Sequence, residues 1–158
     1  MKKTVLAVIF GAMTTFVALT ASAVEPAQSE KQAESAMKFR QATLQLIRSN
    51  VGALGAMAKD KIPMDAQTIE KNAMRIEQLS LMMDDYFSVD TRKFDLNTDA
   101  LPVIWQDYTD FQSKINNLTQ AAGDLKVAAQ QNDGDAFKGK IGALLKSCKG
   151  CHDTYKAE

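Results

Sequence analysis

The last stretch of the chain constrains the fold more than any other. Phe137, Ile141, Leu144, Cys148, Cys151 and Tyr155 recur at alternating steps of four and three, the spacing of one face of a helix packed against others. Two of those seam positions are cysteines, and they open the string Cys148-Lys149-Gly150-Cys151-His152. A C-x-x-C-H string reads as a c-type haem attachment site: each thiol adds across one porphyrin vinyl group, and the histidine that follows is held under the iron as its axial ligand. His152 is the chain's one histidine, and Cys148 and Cys151 are its two cysteines. His152 lies four residues after Cys148, beside both thiols on the same face. A haem held there hangs from the inner side of the last helix, so the rest of the chain must leave room for it.

Other chemistries of two cysteines and a histidine fit less well. A thioredoxin-type dithiol sits at the start of a helix in a βαβ unit, and no such unit is legible here. A zinc site needs a fourth ligand, which no second cluster supplies. A disulfide closing so small a loop within a helix would strain the backbone and remove little loop entropy.

Three further helical segments precede this one. From about Lys31 to Ala58, the residues Leu44, Ile47, Val51, Leu54 and Ala58 form one apolar stripe. Pro63 ends that segment, and Asp65 is the expected N-cap of the next. The second helix is expected over about Ala66–Tyr86, with Ile69, Ala73, Ile76, Leu79 and Met83 inward. A polar connection from Ser88 to Leu101 follows, in which Asp99 can cap and Pro102 suits a first helical turn. The third helix is expected over about Val103–Gln130. Its heptad is the cleanest in the chain: Ile104, Tyr108, Phe111, Ile115, Leu118, Ala122, Leu125 and Ala129. Asn132-Asp133-Gly134 reads as a turn, with Asp135 as cap of the fourth helix. Four amphipathic helices with no strand signal predict an all-α, antiparallel four-helix bundle.

The chain opens as a secretory signal: Lys2 and Lys3, an apolar run over 4–19, and the small-residue cleavage site Ala21-Ser22-Ala23. The expected organisation is a signal peptide over 1–23 and one domain over 24–158, with Val24–Glu30 a loose leader. The apolar run is too short for a stable membrane span. The destination read from this is the periplasm, where c-type haem is attached. Without Lys2 and Lys3 the chain holds 17 basic and 19 acidic side chains, 19 less 2 against 19, a formal charge of −2. That balance predicts neither a nucleic-acid partner nor binding to an acidic membrane surface.

One residue breaks the first stripe. Arg40 falls on the inner face, one turn before Leu44. A charge aimed into a core is costly unless partnered. Two readings stand: an arginine snorkelling from the helix start, or one paired with a haem propionate.

At this point the chain resembles the cytochrome c′ family, the class of c-type cytochromes with the haem motif at the end of a four-helix bundle. The C-terminal C-K-G-C-H-D-T-Y-K matches the family's haem end, with Lys156 where many members carry arginine. K-F-R-Q-A-T-L, Lys38 to Leu44, is similar to the family's R-Q-x-x-aliphatic pattern, and Ile104-Trp105 matches the opening of its third helix. The resemblance implies one covalent haem c per chain, held by Cys148 and Cys151, with His152 on the iron. It implies Arg40 and Gln41 against the haem edge, contacts from Thr98 and Asp99, and Leu44 over the open face. Low-spin relatives place a methionine where Leu44 stands, and leucine cannot ligate. Met37 lies seven residues before Leu44, roughly 10 Å along the axis. The implied iron is five-coordinate and high-spin, with NO and CO as ligands. The alternative is a low-spin, Met-ligated carrier.

With no second histidine as a distal acid–base group, a peroxidase is disfavoured. Enzymatic turnover by an open iron is left open. Periplasmic electron donors or acceptors are the expected protein partners. Lys156 reads either as a modulator of the proximal side or as a solvated lysine at a helix C-terminus. Phe39, Leu46 and Met82 fall off the inner stripes and are candidates for a homodimer contact through the first two helices, as the resemblance implies.

Overall fold

A computed structural model describes residues 24–157, so the signal-peptide reading of 1–23 lies outside the described residues. Four long helices build the molecule, and short elements fill the connection that runs past the haem motif. In chain order they are β1 (Glu25–Pro26), α1 (Glu30–Ala58), α2 (Ala66–Leu81), α3 (Met83–Phe87), β2 (Val89–Asp90), α4 (Val103–Gln106), α5 (Tyr108–Gln130) and α6 (Gly134–Tyr155). α2 lies along α5, α5 along α6, and α1 closes the bundle against α2 and α6. The expected four-helix bundle is what the chain forms.

The helix ends follow from local chemistry. Ser29 caps α1 by accepting from the Gln32 amide at 3.2 Å, and Asp65 caps α2 by accepting from Thr68 at 3.0 Å. After α1 the chain reverses through Asp60 at φ 55°, and the Lys61 amide donates to the Ala56 carbonyl at 2.9 Å, satisfying the last turn. α6 is capped by Asp133, not by Asp135 as expected; its carboxylate accepts from the Ala136 amide. Asn132 at φ 52° turns the chain just before it, and Asp135 becomes a first-turn acid instead.

Two expected helices are each interrupted. The second ends at Leu81 and restarts at Met83; the Ser80 hydroxyl donates back to the Glu77 carbonyl at 2.7 Å, a bond that loosens a last turn. The third breaks at Asp107, whose extended φ of −132° and ψ of 68° end α4 and whose side chain accepts from the Asp110 amide to start α5. The residues Phe111, Ile115, Leu118, Ala122, Leu125 and Ala129 are all buried, as their spacing requires.

The expected loose leader is instead tied down. Glu25–Pro26 pairs in parallel with Val89–Asp90, with the Glu25 amide donating to Ser88 and the Ala27 amide to Asp90, each at 2.9 Å. Ala27 is buried beneath this pairing. A two-residue strand has no length over which alternation can be read, so its sequence carries no strand signal. The connection also pairs with the chain's end: Ala100 bridges Lys156, the Leu101 amide donates to Tyr155, and the Ala157 amide donates to Asp99. Among the described residues, no helix is long and apolar enough to cross a membrane.

Candidate haem site

One face of α1, the connection before α4 and the last turns of α6 enclose a cavity of about 700 Å³. That is within the range of small-molecule and cofactor sites, roughly 300–1,000 Å³. Arg40, Gln41, Leu44, Thr98, Asp99, Cys148, Cys151 and His152, named from three separate stretches of the sequence, all line it. Its floor is apolar core: Met83, Phe87, Ile104, Phe111, Ile115 and Leu118.

Both cysteines are half-buried against the core from α6, and neither is bridged to the other. Burial pushes the Cys151 thiol up to about 11, with Cys148 adding and Lys114 opposing; burial likewise raises Cys148. Reactive dithiols need the opposite, a lowered value that populates the thiolate at neutral pH. Among the described residues, no group of three or more His, Cys, Asp and Glu side chains could hold a metal ion. Two neighbouring thiols facing an apolar cavity, with an imidazole one residue further on, are the donor set that a covalently held haem requires.

Arg40 is 2% exposed. Its Nη2 donates to Thr91 Oγ1 at 2.9 Å and its Nη1 to the Val89 carbonyl at 3.4 Å. The guanidinium also lies over the rings of Phe87 and Trp105, 5.4 and 5.1 Å from their centroids. Burial lowers it to about 10, Asp90 pulling the other way, so it stays charged at neutral pH. A buried cation hydrogen-bonded by neutral partners retains capacity for an anion, and β2 with the residue that follows it presents those partners. Snorkelling is ruled out by the burial.

Gln41 reaches the Asn97 carbonyl with its amide, and Thr98 Oγ1 accepts from the Ala100 amide. These bonds hold the connection over the cavity. Asp99 does not cap α4; its carboxylate pairs with Lys156 Nζ at 3.3 Å and its carbonyl takes the Ala157 amide. Three residues after His152, Tyr155 packs edge-on against Phe111 and donates to Asp110. Burial and that carboxylate raise the phenol well above its ordinary value.

Leu44 lies on the cavity wall, 39% exposed. Met37 and Met83 line it as well. Sequence reasoning missed Gln45, Arg48, Lys114 and Met83. Arg48 had a signal, since it continues the four-residue step from Arg40 through Leu44. Lys114 had none, because it reaches the cavity from another helix, and Met83 was expected inward on its own helix without being assigned to the site.

Comparison with known proteins supplies the family. The model described as Cytochrome C' matches residues 35–156. A cytochrome c' from Rubrivivax gelatinosus is 31% identical over 121 residues, covering 77% of this chain and 93% of its own. The structure of cytochrome c prime from Shewanella frigidimarina superposes with a TM-score of 0.74 at 37% identity, covering 82% of this chain and all of that one. A cytochrome c prime variant from Alcaligenes xylosoxidans, solved as a nitric oxide complex, superposes with a TM-score of 0.71 at 31% identity, covering 80% of this chain and 96% of that one. Covalently bound c-type haem goes with this family, and both cysteines it needs are in place on α6. The matched residues 35–156 take in the first-helix arginine, the connection and the haem motif, and the chain belongs to the cytochrome c′ family.

Proposed function

We propose that the mature chain is a periplasmic protein with one haem c, held through Cys148 and Cys151 and ligated by His152, whose iron keeps its second face open. Once bound, the haem supplies a high-spin, five-coordinate iron that takes up NO or CO and exchanges one electron at a time. The observation that carries this is Leu44: the side chain on the cavity wall one turn after Arg40 is aliphatic, and one imidazole lines the cavity. The nitric oxide complex of a homologue supports gas binding here.

The chain's own residues divide the work. Arg40 offers a desolvated positive charge to a propionate, a contact worth more in that setting than in water. Gln41, Thr98 and Asp99 close the haem edge from the connection. Leu44 itself offers no hydrogen bond to a ligand on the open face. Cleavage after Ala23 releases the chain to the compartment where haem is attached, and leaves β1 at its start. Electrons come from periplasmic donors. A homodimer forms through α1 and α2, where Phe39 and Leu46 on α1 are each 54% exposed and Met82, just past the end of α2, is 40% exposed.

A second reading, the Met-ligated carrier, has a specific basis because Met37 and Met83 line the cavity. An optical spectrum of the purified holoprotein separates the two. The expected result is a broad high-spin Soret band in the reduced state that sharpens with CO. Sharp low-spin α and β bands without a CO response would overturn the open-iron reading.

A further inference from the structure

Four cationic side chains line the cavity: Arg40, Arg48, Lys114 and Lys156. The protein engages three of them itself. Arg40 is held by Thr91 and the Val89 carbonyl, Lys114 lies 3.6 Å from Asp110, and Lys156 lies 3.3 Å from Asp99. Arg48 makes no ion pair and no side-chain hydrogen bond among the described residues. Gln45, three residues before it on the same wall, also has no side-chain partner there.

Their placement on α1 is what gives this meaning. Arg48 is one turn beyond Leu44, about 6 Å along the axis, and Arg40 is one turn before it. The two arginines therefore stand roughly 12 Å apart at opposite ends of the wall that Leu44 centres. The two propionates of a haem leave from the same edge of the porphyrin. With that edge at Arg40, which rests on the function proposed above, Arg48 stands at the far end of the wall from it.

We propose that Arg48, with Gln45, makes the mouth of the cavity beyond Leu44 a receptor for a small planar oxyanion, one whose two oxygens sit on a single centre. The guanidinium fork matches two such oxygens at once, which an ammonium cannot do. The Gln45 amide adds a neutral donor on the same side. The cavity then has charge selectivity at its mouth and an apolar gate at its centre. Neutral diatomics pass without using Arg48, while nitrite-like anions are held beside Leu44. The shared chemistry is that of a carboxylate, so the haem's second propionate is the competing source.

The test uses ferric holoprotein and sodium nitrite, followed both by the Soret band and by calorimetry, which registers binding whether or not the iron spectrum responds. Saturable nitrite binding is expected, weakened roughly tenfold by Arg48→Gln and partly restored in Arg48→Lys. It should weaken with added salt in the wild type and respond much less in the Arg48→Gln variant. CO binding to the ferrous protein should stay within about twofold in both variants. Nitrite affinity that is unchanged in Arg48→Gln overturns the proposal. So does a lost pH dependence of the reduction potential in that variant with nitrite affinity intact, which assigns Arg48 to a propionate. If the wild type gives no CO response at all, the open-iron reading fails instead, and calorimetry still decides whether Arg48 holds the anion.

Discussion

At the scale of single residues, Leu44 and Arg40 occupy one stripe of α1 and do opposite things. Arg40 is drawn inside by two ring faces, a hydroxyl and a carbonyl, and keeps its charge there. Leu44 stays 39% exposed on the same wall. A leucine that must swing aside before a ligand reaches the iron makes association slow, because a conformational step precedes binding. Leu44→Ala removes that step without touching the floor of the cavity. The CO association rate of the reduced protein should rise by more than about tenfold, measured by stopped flow or flash photolysis. A rate equal to wild type would show that Leu44 does not gate the site. That the cysteine pair, the histidine and Arg40 line one cavity was legible in the sequence, since helical spacing groups them. The partners of Arg40 were not, because Thr91 and Val89 belong to a connection with no period to read.

At the scale of elements, the α5 heptad was legible almost to the residue, and its interruption at Asp107 was not. Periodicity reports which side chains point inward, and Ile104 and Tyr108 are buried on either side of the break. It does not report a single residue leaving helical φ and ψ between them. The aspartate could have been read as a cap, since Asp107 stands three before Asp110 and accepts from its amide at 3.1 Å. The same limit explains the misplaced cap of α6, where Asp133 and Asp135 are both plausible by type and the left-handed Asn132 decides between them. Asp107→Ala should cost about 1 kcal/mol of folding stability by urea titration, the usual worth of a lost N-cap. Asp107→Asn should recover most of it, because the amide oxygen still accepts. Equal loss in both variants would mean that the carboxylate's charge, and not the cap, matters there.

For the whole molecule, the arrangement of core and cavity sets what the haem contributes to stability. One end of the bundle is filled by side chains alone: Ile69, Ala73, Ile76, Ala122, Leu125 and Ile141 are fully buried, each 0% exposed. The other end is closed around the cavity by α1, the last turns of α6 and the connection before α4. The filled end needs no cofactor to exclude water. The cavity end is walled by apolar side chains that lose their packing partners if nothing occupies it. A group that binds the folded chain and not the unfolded one stabilises by mass action, and covalent attachment keeps it at hand. The double variant Cys148→Ser, Cys151→Ser cannot form either thioether. It should retain the helical far-ultraviolet dichroism of the filled end while its Tm falls by roughly 10 °C or more against the holoprotein. Hydrogen exchange should separate the two ends, with α2 and the middle of α5 still protected and the α6 terminus and the connection before α4 exchanging fast. An unchanged Tm, or uniform loss of protection along all four long helices, would show that the bundle does not divide in this way.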